Sequence, residues 1–113
     1  MTNAAAAKGD TRVFYRDIKP YDVPERLEDL RGPRDGRMEL PLNVYWGPEA
    51  MVDLDTMGGV VKAYQATLRE GRTVDQVALL NREVLIDIWP QLLLPLRVRG
   101  LWENRFPELT AAV

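Results

Sequence analysis

Asp53 and Asp55 form the pattern in this sequence that comes nearest to a catalytic motif. Carboxylates at this spacing can hold Mg²⁺ in enzymes that transfer phosphoryl or nucleotidyl groups. No Gly-Ser phosphate-binding turn precedes the pair, and no third carboxylate stands where it would complete such a site. An aspartate directly before a helical pattern is also a common helix cap. We therefore expect one of the two to cap the following helix, and a small Mg²⁺-dependent enzyme using Asp53 and Asp55 remains an alternative.

The residue types that are missing narrow the chemistry further. The chain of 113 residues contains no Cys, no His and no Ser. Ser-His-Asp and Cys-His catalysis are therefore impossible within this chain, and so are thiolate metal sites and disulfides. Gly58-Gly59 is not part of either common phosphate-binding glycine motif. We predict that the protein is not an enzyme and that it uses no cofactor and no metal.

The charge of the chain bears on nucleic-acid binding. The net charge is −2, whereas a non-specific polyanion binder normally carries a basic excess. The run from Gln65 to Trp89 can be read as helix, turn, helix, as in DNA-binding proteins. Its second segment offers only Arg82 to phosphates and also carries Glu83 and Asp87. A DNA-binding transcriptional regulator is therefore a second alternative, less favoured than a helical bundle.

Residues 20–48 carry residue types that suit contact with another protein. This segment holds five of the eight prolines, which restrict the backbone and lower the entropy lost on binding. Tyr45 and Trp46 are neighbours in an alternating pattern, so they should point to opposite faces. If Trp46 faces the core, Tyr45 is the exposed aromatic anchor for a partner. The alternative is that the segment only wraps its own helices. The candidate partner-binding residues are Arg31, Arg34, Arg37, Tyr45, Trp46, Arg97 and Arg99.

The elements that must position these residues are mostly helical. Apolar residues at helical spacing predict short helices at residues 24–30, 56–70, 74–80 and 82–104. Pro90 should break the last of them. Alternation at residues 38–46 predicts a strand, and Pro41 confines it to an edge, with residues 13–18 or a partner chain as its mate. The predicted fold is mainly α, a small bundle of about four short helices with an N-terminal extended, Pro-rich arm or edge strand.

The same patterns divide the chain and select its core. We predict a disordered tail at 1–11, a Pro-rich extended arm with a short helix at 12–48, and a helical domain at 49–113. No apolar run approaches the roughly 18 residues of a membrane span, and the N-terminus lacks a secretory pattern, so a cytoplasmic protein is expected. The predicted core residues are Val60, Tyr64, Leu68, Leu80, Leu85, Ile88, Trp89, Val98, Leu101 and Trp102.

Taken together, residues 23–109 resemble a group of short actinobacterial proteins. The segments that carry the likeness are Leu30–Pro33, Glu39–Trp46, Asp53–Asp55, Tyr64–Gly71, Leu80-Asn81, Leu85–Pro90 and Arg99–Leu109. The stretch WENRFPEL, at Trp102–Leu109, is the most specific of them. The chain departs from the group at Gly58-Gly59, where polar helix formers are more usual.

Proteins of that group are commonly uncharacterised or described as transcriptional regulators. They often lie beside nucleotidyltransferase toxins of the abortive-infection type. The resemblance therefore implies a small, non-catalytic, antitoxin-like partner that neutralises a nucleotidyltransferase toxin. It implies a protein partner first, nucleic acid as a less favoured partner, and no membrane.

Overall fold

The structure is a computed structural model that describes residues 20–111, so the predicted tail at 1–11 and the candidate strand at 13–18 lie outside the described residues. Its helix content of 52%, with one small two-stranded sheet, confirms the predicted mainly α class. The elements between residues 20 and 111 are a 3-10 turn Leu27–Asp29, β1 Arg37–Glu39, β2 Met51–Asp53, α1 Met57–Glu70, α2 Thr73–Leu79, α3 Arg82–Ile88, a 3-10 turn Trp89–Gln91, α4 Leu96–Arg105 and α5 Glu108–Ala111.

The predicted strand at 38–46 is one arm of a hairpin, and its mate comes later in the same chain. β1 and β2 pair antiparallel, with Met38 opposite Val52. The expectation that residues 13–18 or a partner chain would supply the mate of β1 was therefore wrong. The strand is also shorter than predicted, because the chain turns after Pro41, whose carbonyl accepts hydrogen bonds from the amides of both Val44 and Tyr45 at 2.9 Å.

α1 is the longest helix and packs along β2. Its N-cap is Thr56, whose hydroxyl accepts a hydrogen bond from the Gly59 amide at 3.0 Å. The prediction that Asp53 or Asp55 caps this helix was therefore wrong by one to three residues. Gly71 ends the helix as predicted, and its amide donates to the Thr67 carbonyl at 2.9 Å.

The start of α2 is stabilised from a distant part of the chain. The Asp75 carboxylate accepts a hydrogen bond from the Arg72 amide at 2.9 Å. The Asp22 carboxylate accepts from the Thr73 amide, also at 2.9 Å. The side chain of Gln76, which is fully buried, donates to the Asp22 carbonyl. The two bonds to Asp22 fix the beginning of residues 20–48 against α2. The bond from Thr73 also satisfies an amide that the helix itself leaves free.

The predicted helix over 82–104 is two helices. Asn81 caps α3, accepting hydrogen bonds from the amides of Glu83 and Val84. α3 ends at Ile88, so Pro90 breaks the helix as predicted. Trp89 keeps helical backbone angles and begins the 3-10 turn that contains Pro90. An extended stretch then leads to α4.

Nine of the ten predicted core residues are buried. The exception is Leu101, which is 37% exposed, because the buried face of α4 runs through Val98 and Trp102. Trp102 packs between Trp89 and Phe106, with ring centroids 6.4 Å and 5.6 Å away. The Pro-rich segment adds to this core, through the buried side chains of Leu27, Leu30, Leu40 and Val44.

Tyr64 links α1 to the start of α3. Its ring is fully buried, and its hydroxyl accepts a hydrogen bond from the Asn81 amide at 2.9 Å. Burial raises the pKa of Tyr64 from 10.0 to about 12, and the hydrogen bond from Asn81 opposes this rise only in part. The neutral phenol is therefore the form that the fold requires.

This pKa predicts an alkaline loss of stability. In the unfolded chain Tyr64 ionises near pH 10, before it ionises in the folded protein, so rising pH favours unfolding. The contribution is complete below pH 10 and is lost between pH 10 and about pH 12. Urea unfolding across this range should show a falling free energy of unfolding that Tyr64→Phe makes shallower. Equal pH slopes for the two proteins would contradict the assignment. At neutral pH the variant should lose about 1–3 kcal/mol, because the Asn81 amide loses its acceptor.

Candidate functional site

The two aspartates of the D-x-D pattern hold the backbone around the hairpin. One carboxylate oxygen of Asp53 accepts a hydrogen bond from the Asp55 amide at 2.9 Å. A carboxylate oxygen of Asp55 accepts from the Gly36 amide at 3.2 Å, across the open end of the hairpin. Within residues 20–111, no three acidic or metal-binding side chains come together. The observed role of the pair is to join β1, β2 and the entry to α1.

The three arginines predicted at the partner contact lie along the surface of residues 31–37, each with a different environment. The Arg31 amide donates to the Val77 carbonyl at 2.8 Å, which fixes the loop, while its side chain is exposed. Arg34 forms an ion pair with Glu83 of α3, and both side chains are more than half exposed. Such surface pairs contribute little to stability. Arg37 lies on β1 and is exposed.

Arg99 is part of the packing of the tryptophan core. Its guanidinium lies 5.0 Å from the centre of the Trp89 ring, forms an ion pair with Glu103 at 3.5 Å and donates to the Leu92 carbonyl. Arg97 lies elsewhere, with its guanidinium 5.7 Å from the centre of the Tyr21 ring. The two candidate residues Arg97 and Arg99 therefore have different surroundings, Arg97 beside Tyr21 and Arg99 over Trp89.

Trp46, and not Tyr45, is the exposed aromatic residue of the pair, and both lie in the loop beyond the end of β1. Trp46 is 86% exposed. Tyr45 is half-buried and packs against the core, and the Lys62 ammonium lies 4.4 Å from the centre of its ring. The same ammonium donates to the Glu49 carbonyl at 2.6 Å. Trp46 therefore occupies the place of the solvent-facing aromatic anchor.

Three exposed leucines were missed at the sequence level. Leu42 lies in the hairpin loop with Trp46 and is 77% exposed. Leu93 and Leu96, which precede and begin α4, are 77% and 86% exposed. Alternation placed Leu42 on the inner face of a strand. The turn that follows Pro41 removes it from that face, and a proline in a strand pattern is the signal for such a break.

These side chains form two apolar sites on segments that α1 supports. We call Leu42 and Trp46 the hairpin site and Leu93 and Leu96 the α4-entry site. Lys62 of α1 anchors the loop that carries the hairpin site. The Gln65 side chain, one turn further along α1, accepts a hydrogen bond from the Leu93 amide at 2.7 Å. Side chains three residues apart on a helix are neighbours, so α1 supports both sites from adjacent positions.

A polar groove of about 420 Å³ lies elsewhere, where the start of the described chain meets the end of α1. Its lining carries both signs of charge, with Arg69 and Arg72 beside Asp22 and Glu70. Asp22 is already engaged as the cap of α2. The groove is the junction between the N-terminal segment and the helices.

No known protein family matches the chain, and no curated protein or solved structure is similar enough to be counted as a relative. Between residues 20 and 111, no helix is long and apolar enough to cross a membrane.

Proposed function

We propose that the protein is a non-catalytic interaction module that acts as an antitoxin-like partner of a nucleotidyltransferase toxin. The observation that supports binding is the 86% exposure of Trp46 on an ordered loop. Tryptophan is enriched among the few residues that dominate protein interfaces, where it is buried on binding. An exposed side chain of this size in the same loop as the exposed Leu42 has the character of an interface centre.

The loop that carries Trp46 is held in place before any partner arrives. The Leu40 amide donates to the Ala50 carbonyl at 2.8 Å, which closes the base of the loop. Within it, the Pro41 carbonyl accepts the two amide hydrogen bonds described above, and Lys62 binds the Glu49 carbonyl. Because this backbone is ordered in advance, less conformational entropy is lost on binding.

The α4-entry site would extend the contact. A stable interface buries about 800 Å² on each partner, more than one tryptophan supplies. Leu93 and Leu96 add two exposed side chains supported by the adjacent turn of α1. The toxin class of the partner rests on the resemblance of residues 23–109 to the actinobacterial group and on nothing else.

The arginines would act mainly on the rate of association. Arg31 and Arg37 are exposed, and Arg34 is held only by its surface pair with Glu83. They can approach the carboxylates of a nucleotidyltransferase metal site or its bound phosphates. Charges at the rim of an interface steer encounter more than they add affinity.

The test is binding and inhibition of the nucleotidyltransferase encoded by a neighbouring gene. Trp46→Ala and Leu96→Ala should each weaken binding by about 30-fold or more, the loss that defines an interface hot spot. Val74→Ala is the matched control, since Val74 is an exposed apolar residue of α2 outside both sites, and it should bind as the wild type does. Unfolding curves should show that all three variants are folded.

Other outcomes would overturn the proposal or favour one of the two alternative functions, a DNA-binding regulator or a Mg²⁺-dependent enzyme. Wild-type binding and inhibition by both site variants would overturn the proposed surface. Salt-dependent retention of DNA at physiological ionic strength would support a DNA-binding regulator. Loss of a Mg²⁺-dependent activity in a folded Asp53→Asn protein would support an enzyme.

A further inference from the structure

The outer edge of β1 presents backbone groups that the hairpin does not use. The Leu40 amide donates to the Ala50 carbonyl, and the Leu54 amide donates to the Gly36 carbonyl. The backbone N–H and C=O groups of the even-numbered residues along β1 therefore point toward β2. Alternation along an antiparallel ladder then turns the N–H and C=O groups of Arg37 and Glu39 the other way. In the part of the chain from residue 20 to residue 111, these four groups have no hydrogen-bond partner.

The side chains on this edge are charged. Arg37 and Glu39 are both exposed, while Met38 between them packs against the core. They therefore share the outward face of the sheet, since alternate residues of a strand point the same way. Neither forms an ion pair within the described residues. An edge of this kind is a template for a further strand.

We propose that β1 pairs antiparallel with β1 of a second copy of this chain, about a two-fold axis that passes Met38. In this register, Arg37 of each copy lies directly opposite Glu39 of the other. Opposite charges at directly opposed positions stabilise a strand pair. The symmetry produces the favourable pair twice, so the sequence Arg-Met-Glu is complementary to itself.

The same register satisfies the unused backbone groups. Residues that lie opposite each other at hydrogen-bonded positions exchange two N–H···O=C bonds. The two Arg37–Glu39 pairs would therefore form four hydrogen bonds, which use every outward N–H and C=O group of residues 37 and 39. The hairpin of each copy stays intact, because its own bonds use the even-numbered residues.

The neighbouring registers are unfavourable. A slip of one residue would place the even-numbered residues of one copy opposite Arg37 and Glu39 of the other. Their backbone groups already bond to β2, so they could not form hydrogen bonds with the second copy. One two-residue shift of the facing strands places Arg37 opposite Arg37 and Asp35 opposite Glu39. The other places Glu39 opposite Glu39 and Arg37 opposite Pro41, which has no N–H to donate. Only the register centred on Met38 combines opposite charges with a full set of donors.

Dimerisation would build a four-stranded sheet in the order β2, β1, β1, β2. Asp53 already lies opposite Arg37 within the hairpin, so each row of the new sheet would read Asp53, Arg37 and then Glu39 of the second copy. Alternating signs along such a row are mutually stabilising. The contact is short, and we expect a weak, concentration-dependent dimer.

The test is sedimentation of the full chain at increasing concentration up to the millimolar range. The wild type should pass from monomer to dimer. Arg37→Glu and Glu39→Arg should each remain monomeric, because either change puts like charges opposite each other. A mixture of these two variants should form a one-to-one heterodimer, because the acidic strand edge of the first variant then pairs with the basic strand edge of the second. Arg31→Glu changes the net charge as Arg37→Glu does, outside β1, and should dimerise as the wild type does.

Amide exchange supplies an independent measurement. In the wild type, exchange of the Arg37 and Glu39 amides should slow as the concentration rises, whereas Trp46→Ala should leave the dimer unchanged. A wild type that stays monomeric, single variants that dimerise normally, or a mixture that does not associate would each overturn the proposal. None of these results would bear on toxin binding through the hairpin site, so the two proposals fail separately.

Discussion

Replacing Trp89 with alanine should lower the free energy of unfolding by about 3–5 kcal/mol, the range for deleting a buried aromatic side chain. Trp89 is 1% exposed and packs on Trp102. Its indole N–H donates to Glu103 at 2.8 Å, and the Arg99 guanidinium lies over its ring. The substitution would leave a cavity and remove the partners of two charged side chains. A domain with a typical stability of about 5–15 kcal/mol would lose a large share of it.

The matched control changes the same residue type at the surface. Trp46 is 86% exposed, so Trp46→Ala should stay within about 0.5 kcal/mol of the wild type. Chemical denaturation of the two variants in parallel measures both effects. A wild-type midpoint for Trp89→Ala would contradict the packing described for α3 and α4.

The helical core could be predicted because its signals are local. The stripe in α1 and the cap at Asn81 each lie within a few residues of the helix they define. Leu101 was assigned wrongly for a related reason. It is adjacent to Trp102, and neighbours on a helix are separated by about 100° around its axis. The burial of Val98 and Trp102 therefore turns Leu101 toward the edge of that face.

The hairpin and the cap of α2 could not be read from local patterns. β2 has only three residues, too few for a period-two pattern to be distinct. Asp22 reaches the amide of Thr73 across 51 residues of sequence. Such contacts depend on tertiary packing, and the sequences of the two segments carry no local signal that predicts them.

The candidate site was predicted in part. One of the neighbours Tyr45 and Trp46 was expected to be exposed, but the strand ends before them, so alternation could not decide which one it is. Arg99 was predicted as a partner-binding residue, and arginine is usually exposed. Its long side chain instead packs over Trp89 while its guanidinium finds polar partners. The distinction between a binding arginine and a packing arginine came from its neighbours.

Gly58 and Gly59 offer a pair of substitutions that should differ in sign. By helix propensity alone, each glycine costs about 1 kcal/mol relative to alanine. The structure separates them, because a Cβ on Gly58 would meet nothing within 4 Å. A Cβ on Gly59 would lie 2.0 Å from the Asp53 carbonyl oxygen, a backbone atom of β2. Gly59 is therefore what allows the first turn of α1 to lie against the hairpin.

Gly58→Ala should accordingly raise the free energy of unfolding by up to about 1 kcal/mol. Gly59→Ala should lower it by about 1–3 kcal/mol, the usual cost of overpacking, because α1 must move away from β2. The Asp53 carbonyl also accepts a hydrogen bond from the Thr56 hydroxyl at 2.9 Å, so this movement would disturb the helix cap as well. Urea unfolding of the two variants at one temperature gives both differences. A stabilising effect of the same size for both variants would mean that helix propensity alone governs these positions. It would also mean that there is room for a Cβ between Gly59 and the Asp53 carbonyl.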